Sequence, residues 1–442
     1  MHYCAGMTAS DPNSPRHLSG DPLDRPELRR ARIAWCVYDW ANSAFPTVIV
    51  TFVFSAYFAT AVQADRAIGT AQWSRALALS GIAIALLSPV FGAIADRTGR
   101  RKPWLAVCSA VTIVCAALLW FVEPDPGWAL YALIVFAIAN IAFEVGQVFY
   151  NSMLPAIASN GRIGRLSGWG WGLGYAGGLS CLVMALFAFV QAEPPLLGLD
   201  RETAEHVRIV GPLVAVWFAL FCLPLFVFVP DAPPGRIGRI AAVKQGLATL
   251  VGTLRRVRDY RTIAWFLLAR FFYVDGMNTM FAFGGIYAAG TFGMSLAEVI
   301  QFGIALNITA GLGAAGFAWI DDRIGARRTI VIALCGLIAF GVPLLFVEGK
   351  LWFWLVGLPL GVFMGPAQAA SRSLMARLAP AELRTEMFGL FAFSGKATAF
   401  MGPFILGVVT VAADSQRAGM ATIVVFLSVG LALVLWKVRE RV

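Results

Sequence analysis

Charge is scarce in this chain: Asp, Glu, Lys and Arg make up 14% of its 442 residues, against about 25% in soluble domains. A soluble protein of this length needs far more polar surface. Most of the chain therefore faces lipid, in keeping with a mean hydropathy of +0.74. Histidine is rarer still, with three residues at positions 2, 17 and 206 and none in an apolar segment. That leaves a histidine metal site or an intramembrane enzyme poorly supported. The seven cysteines (4, 36, 108, 115, 181, 222 and 335) show no paired spacing, and six lie in apolar stretches as small packing residues. No Gly-x-x-x-x-Gly-Lys-Ser/Thr loop occurs, which argues against ATP hydrolysis on this chain. The first 31 residues hold no apolar core segment, so no cleaved signal peptide is expected. Neither a metal nor a cofactor is expected.

Long apolar runs, by contrast, are abundant. Crossing about 30 Å of hydrocarbon takes roughly 20 helical residues. Twelve runs qualify, at about 33–61, 72–95, 104–122, 128–157, 164–190, 209–229, 262–289, 296–320, 329–347, 351–376, 386–412 and 418–436. The fold class is thus an all-α integral membrane protein with twelve transmembrane helices. Of the 35 Lys and Arg, 26 fall in the termini and the five loops that would share their side; the opposite loops carry only Arg66, Arg75, Arg201, Arg208, Lys350 and Arg417. The positive-inside rule then places both termini in the cytoplasm. This distribution accounts for the net charge of +10 without nucleic acid as a partner. With no targeting segment, a bacterial plasma membrane is the expected location.

The organisation read from these runs is a tail over 1–31, a six-helix half over 32–229, a linker over 230–261, a second six-helix half over 262–437 and a tail over 438–442. In the linker, Ile240, Val243, Leu247, Leu250, Leu254 and Val257 recur at helical spacing, which predicts an amphipathic helix on the inner leaflet; a plain connector is the alternative.

The halves repeat one another. "GAIADRTGRRK" (Gly92–Lys102) follows the second run and "DDRIGARR" (Asp321–Arg328) the eighth, sharing Asp-Arg-x-Gly at Asp96 and Asp322. Within the first run, "YDWANSAF" holds Asp39, Asn42 and Ser43; the seventh run answers with Asp275, Asn278 and Thr279 in "DGMNTMF". Positions i, i+3 and i+4 share a helix face. Each half therefore presents a carboxylate, an amide and a hydroxyl that lipid cannot satisfy. A buried network that only joins helices would also explain them.

The Gly-x-x-x-Asp-Arg-x-Gly-Arg-Arg-Lys spacing of the first loop resembles the signature of the major facilitator superfamily, with "DDRIGARR" as its degenerate copy. "YDWANSAF", "RFFYVDGMNTMFAFGGIYAAGTFG", "SRSLMARLAP" and "FGLFAFSGKATAFMGP" resemble the unknown major facilitator group, related to fungal vacuolar effluxers that export amino acids. The resemblance implies two six-helix repeats, alternating access and a central cavity lined chiefly by spans 1, 4, 7 and 10. It also implies a gate built from Gly92, Asp96, Arg97, Gly99 and Arg100, with Asp322, Arg323 and Gly325 as the second copy; Asp96 and Arg100 are its expected working pair. In span 5, "GWGWGLGYAGG" keeps Gly177 and Gly178 of an antiporter signature but has Gly174 where that signature has proline.

Further polar residues interrupt the spans: Glu144, Gln147 and Asn151 in the fourth, Arg270 in the seventh, Arg372 in the tenth and Lys396 in the eleventh. Buried charges persist when paired or when water reaches them. Charges of both signs in one cavity suit a zwitterion, and Asp39, Glu144 or Asp275 could carry a proton. The expected function is secondary active transport of a small polar or zwitterionic solute, an amino acid among the candidates, coupled to protons and carried out by a monomer. A transporter-like receptor or scaffold that binds without moving cargo is the alternative.

Overall fold

The computed structural model describes residues 26–158, 160–194, 196–233, 239–255, 258–397 and 399–439. Most of the expected N-terminal tail, residues 440–442 of the other tail and part of the linker lie outside them. Among the described residues there is no strand, and twelve helical segments, the eleventh of them in two pieces, are long enough to span a bilayer. Eleven also have the composition for it: spans 1 to 6 at Pro26–Val62, Arg66–Thr98, Lys102–Phe121, Pro126–Ile157, Ile163–Val190 and Glu205–Phe228, and spans 8 to 12 at Ala297–Ile324, Ala326–Leu344, Lys350–Leu378, Ala381–Ala412 and Gln416–Lys437. Span 7, Arg261–Phe292, is a single 32-residue helix. Its Arg, Asp, Asn and Thr residues dilute an otherwise apolar segment.

Two spans depart from regular helix. In span 1, Pro46 has no N–H to donate, and the backbone takes a wider π-helical winding over Phe45–Phe52. Its last bond runs five residues back, from Val53 N–H to the Val48 carbonyl. Span 11 is not the continuous helix that its apolar run over 386–412 predicts. It consists of Arg384–Lys396 followed by Met401–Ala412. Pro403 stands at the third position of the second piece, within the first turn, where a missing N–H costs nothing. Further into a continuous helix it would have clashed with the preceding turn.

The two halves meet along small-residue seams. A Cβ on Gly92 of span 2 would stand 2.5 Å from the Thr385 carbonyl of span 11, and one on Gly168 of span 5 would stand 2.5 Å from the Ala314 carbonyl of span 8. With no hydrophobic drive between helices in lipid, close backbone approach of this kind is what holds spans together.

The linker forms a helix, Arg239–Arg255, but it docks rather than merely lying on lipid. Ala242 and Leu250 are buried, and a Cβ on Gly246 between them would stand 3.0 Å from the Ile94 backbone of span 2. Val243 and Leu247 of the predicted stripe point outward with Val251. The helix thus carries two apolar faces, one against protein and one free for lipid.

Candidate functional site

At the end of the bundle that carries the basic loops, two mirrored contacts, termed latches, join the halves. Asp96, at the close of span 2, accepts from the Thr385 and Glu386 N–H groups at 3.1 and 2.9 Å. These are orphan donors in the first turn of span 11, and a carboxylate there also meets the positive end of the helix dipole. Asp322, at the close of span 8, does the same for span 5. It accepts from the Gly164 N–H at 2.8 Å and from Arg165 Nε at 3.0 Å. Each motif therefore reaches from one half to cap a helix of the other.

The motif glycines explain themselves geometrically. Gly92 permits the close approach of span 11. Gly99 and Gly325 end spans 2 and 8 with φ of +79° and +91°, a region that favours a residue without Cβ. Arg97 donates to Thr249 Oγ1 of the linker helix at 2.6 Å. The expected partner of Asp96, Arg100, is exposed instead. After the turn at Gly99 it is Arg101 that faces the seam, with Nη2 3.5 Å from Asp96 and Nε 2.9 Å from Thr385 Oγ1. Arg323 is also exposed. Asp321, its neighbour but one, is buried and accepts from Ser373 Oγ at 2.6 Å while Arg377 lies 2.9 Å away.

In the middle of the bundle, Asp39 of span 1 is paired with Arg372 of span 10, Nη1 to Oδ2 at 2.9 Å. Asp39 is 7% exposed and Arg372 is 3% exposed. Arg372 also donates to Ser167 Oγ and to the Ser167 carbonyl at 2.9 and 2.7 Å, and to Asn151 Oδ1 at 3.3 Å. Its guanidinium lies 4.7 Å from the ring centroid of Trp35, which stacks on Tyr150 at 4.5 Å. The glycine face of span 5 makes this possible. A Cβ on Gly170 would come within 2.6 Å of Asp39 Oδ2, and one on Gly174 within 2.8 Å of Ser43 Oγ. Asn42 is buried beside them.

A further ion pair joins the halves. Lys396, the last residue of the first piece of span 11, lies 2.6 Å from Glu144 Oε1 of span 4, and both side chains are partly accessible. Gln147, one turn on from Glu144, is partly buried. Nearby, Arg270 of span 7 donates to the Phe391 carbonyl at 2.5 Å and to Ser394 Oγ at 2.9 Å. Its guanidinium lies 3.5 Å from the Phe391 ring centroid.

Asp275 differs from the other acids. It is fully buried, and among the described residues no cation pairs with it. Its Oδ2 accepts the Gly402 N–H at 2.8 Å, capping the second piece of span 11. Its Oδ1 and the Oγ1 of Thr279 have no hydrogen-bond partner. Asn278 is exposed, so the second triad does not share one environment as its spacing predicts. Asp275 lies between the two on the helix wheel, with Asn278 and Thr279 about 100° apart, and only the Thr279 side faces span 11.

Several contributing residues escape sequence reasoning: Trp35, Tyr150, Ser167, Arg101, Arg165, Asp321 and Arg377. The doubled acid of "DDRIGARR" is a signal for Asp321, and the alternate glycines of span 5 are a signal that something large is accommodated against it.

Solved structures show the same fold. The chain aligns over 94% of its length with the proton:xylose symporter XylE, covering 96% of that protein at a TM-score of 0.71 and 13% identity. It aligns equally far with the transporter FucP in its outward conformation, covering all of it at a TM-score of 0.73 and 14% identity. These likenesses define the fold as that of the major facilitator type. The family described as "Vacuole effluxer Atg22 like" matches residues 27–441, and the chain belongs to it. It is 25% identical over 416 residues to the uncharacterized MFS-type transporter YxiO of Bacillus subtilis, spanning 92% of this chain and 94% of that one. It is also 26% identical over 287 residues to autophagy-related protein 22 of Cryptococcus neoformans; that match covers 60% of this chain and about half, 51%, of the fungal protein.

Proposed function

We propose that the protein is a secondary active transporter, in a bacterial plasma membrane with both termini cytoplasmic, moving a small polar or zwitterionic solute by alternating access with proton coupling. The observation that carries this reading is the pair of ion pairs between halves, Asp39–Arg372 and Glu144–Lys396. They place charges of both signs on the surfaces that must part if the halves rock against each other. A free amino acid, carrying both charges, can stand in for either partner as the pairs separate. The name of the family, a vacuole effluxer, supports movement of a solute out of a compartment.

Asp275 is the proposed proton carrier. Asp39 and Glu144 each already hold a base, whereas gaining or losing a proton at Asp275 breaks no ion pair. Its link to the second piece of span 11 gives a protonation change something to move. One charge crossing 100 mV supplies about 2.3 kcal/mol, enough to concentrate a solute roughly fiftyfold at 1.36 kcal/mol per decade. Asp96 and Asp322, with the glycines and Arg residues of their loops, would hold the cytoplasmic side shut and release it in the other half of the cycle.

The test is flux of a panel of labelled amino acids into proteoliposomes under an imposed proton gradient. At least one should move faster than into empty liposomes, and Asp275→Asn should abolish its dependence on the gradient. Saturable binding with no net movement of any ligand would favour the receptor reading instead.

A further inference from the structure

Arg270 of span 7 lies against the end of the first piece of span 11, where Gly395 makes room for it; a Cβ there would stand 2.8 Å from Nη1. Both of its hydrogen bonds leave from that Nη1, to the Phe391 carbonyl and Ser394 Oγ. Its Nε–H is buried with no partner. Among the described residues no carboxylate pairs with it. Asp39 holds Arg372, Glu144 holds Lys396, and Asp275, five residues along the same helix, accepts the Gly402 N–H. The helix end beside Arg270 offers about half a negative charge, and the Phe391 ring offers its face. Neither replaces a carboxylate. Glu144 is near enough to act on Arg270 electrostatically, and Lys396 follows Gly395 in the chain. Arg270 and Lys396 against Glu144 leave an excess of one positive charge. The Lys396 and Glu144 side chains are 29% and 22% exposed, so the cluster borders open space rather than packed protein.

We propose that Arg270 seats a carboxylate of the solute, which makes an organic carboxylate, rather than an amine, the class of cargo. This rests on the function proposed above only in taking the polar cluster to meet a solute. A cation at this depth persists when an anion reaches it. The Nε–Nη2 edge of the guanidinium is the one left without hydrogen bonds, and paired N–H donors of that kind match a carboxylate in geometry. A carboxylate seated there brings the cluster into charge balance and leaves the Glu144–Lys396 pair intact. The solute then needs no ammonium group. An amine without a carboxylate would add to the excess instead.

The test is calorimetric titration of full-length protein in detergent with alanine, leucine and glutamate, each beside its 2-oxo acid and its α-carboxamide. In at least one set the amino acid and the 2-oxo acid should bind within about threefold of each other, and the carboxamide at least about tenfold more weakly. Arg270→Gln should erase that difference. Arg270→Lys should restore part of it, because the charge remains while the paired donors do not. The wild-type ranking tests the proposal even where Arg270→Gln does not fold. A carboxamide as tight as its acids in every set would overturn it, as would binding in no set or an undiminished preference in Arg270→Gln. Displacement of the acids by chloride at equal concentration would assign the cation to inorganic anions, which also overturns it. Binding is read without flux, so carboxylates that bind through Arg270 but are not moved would sink the transport reading and leave this one standing.

Discussion

Asp39 and Asp275 hold matching places in the two repeats, each followed by an amide three residues on and a hydroxyl four residues on. Their surroundings differ in kind. Asp39 is locked to a buried arginine from the opposite half, whereas Asp275 caps a broken helix of its own half and leaves one oxygen without a partner. The repeat duplicated the acid but not its partner. On the function proposed above, the matching motifs divide between two tasks: a fixed charge that binds the halves, and an acid whose protonation can change without breaking an ion pair.

The largest expected effect separates the two directly. Asp39→Asn strands Arg372 without a carboxylate in a buried site, and breaking a buried pair from one side costs about 3–5 kcal/mol. The thermal unfolding midpoint in detergent should fall steeply. Replacing both partners with apolar residues, Asp39→Leu/Arg372→Met, should restore most of the loss while flux stays absent. An unfolding midpoint unmoved by Asp39→Asn would mean that the pair is not what distinguishes this acid from Asp275.

The latches provide the control, because there the repeats agree. Removing a helix cap costs about 0.5–2 kcal/mol, so Asp96→Ala and Asp322→Ala should both weaken closure of the basic end. Asp96→Ala removes two backbone caps and a long contact to Arg101, and Asp322→Ala removes one cap and the closer pair with Arg165, so the two effects should be similar in size. Labelling of a cysteine placed at Ser88, which is buried against span 11, should speed up in both variants. An effect of Asp322→Ala much smaller than that of Asp96→Ala would show that the Arg165 bond adds nothing to its single cap.

Asp275→Asn should cost little stability, under about 1 kcal/mol, because an amide oxygen still accepts the Gly402 N–H. Asp275→Leu removes that acceptor in a buried site and should cost about 1–3 kcal/mol. Similar unfolding midpoints for the two would show that the cap on span 11 contributes nothing, and would dissolve the contrast with Asp39 from the other side.

Much of this architecture was legible before any coordinates. Apolar runs located the spans because helix length is set by bilayer thickness, and Asp96 and Asp322 stood out because their loops repeat. The pairings were not legible. Helical period shows which residues share a face, but not which helix that face meets, so nothing tied Asp39 to Arg372, 333 positions away. Nor did the apolar run through "KATAFMGP" announce a break, since lipid-compatible residues look alike whether helical or not; Pro403 was the signal, and it is weak in a membrane helix. Asn278 was misplaced for a related reason: spacing groups it with Asp275, while burial depends on where span 11 happens to lie.

The smallest expected effect concerns two adjacent arginines that sequence cannot rank. Both follow Gly99, and only the family resemblance of the loop names Arg100 as the partner of Asp96. The positive φ at Gly99 reverses the chain so that Arg101 faces Thr385 and Asp96 instead. Because the Asp96 contact is long at 3.5 Å and the cap itself remains, Arg101→Gln should cost only ~1 kcal/mol, roughly a fivefold gain in the open population. Cysteine labelling at Ser88 should register that gain, and Arg100→Gln should leave the rate as in wild type. The reverse ranking would mean that the loop turns the other way in the membrane. Asp96 would then draw its cation from the other side of the turn, and the likeness between the two latches would stop at their backbone caps.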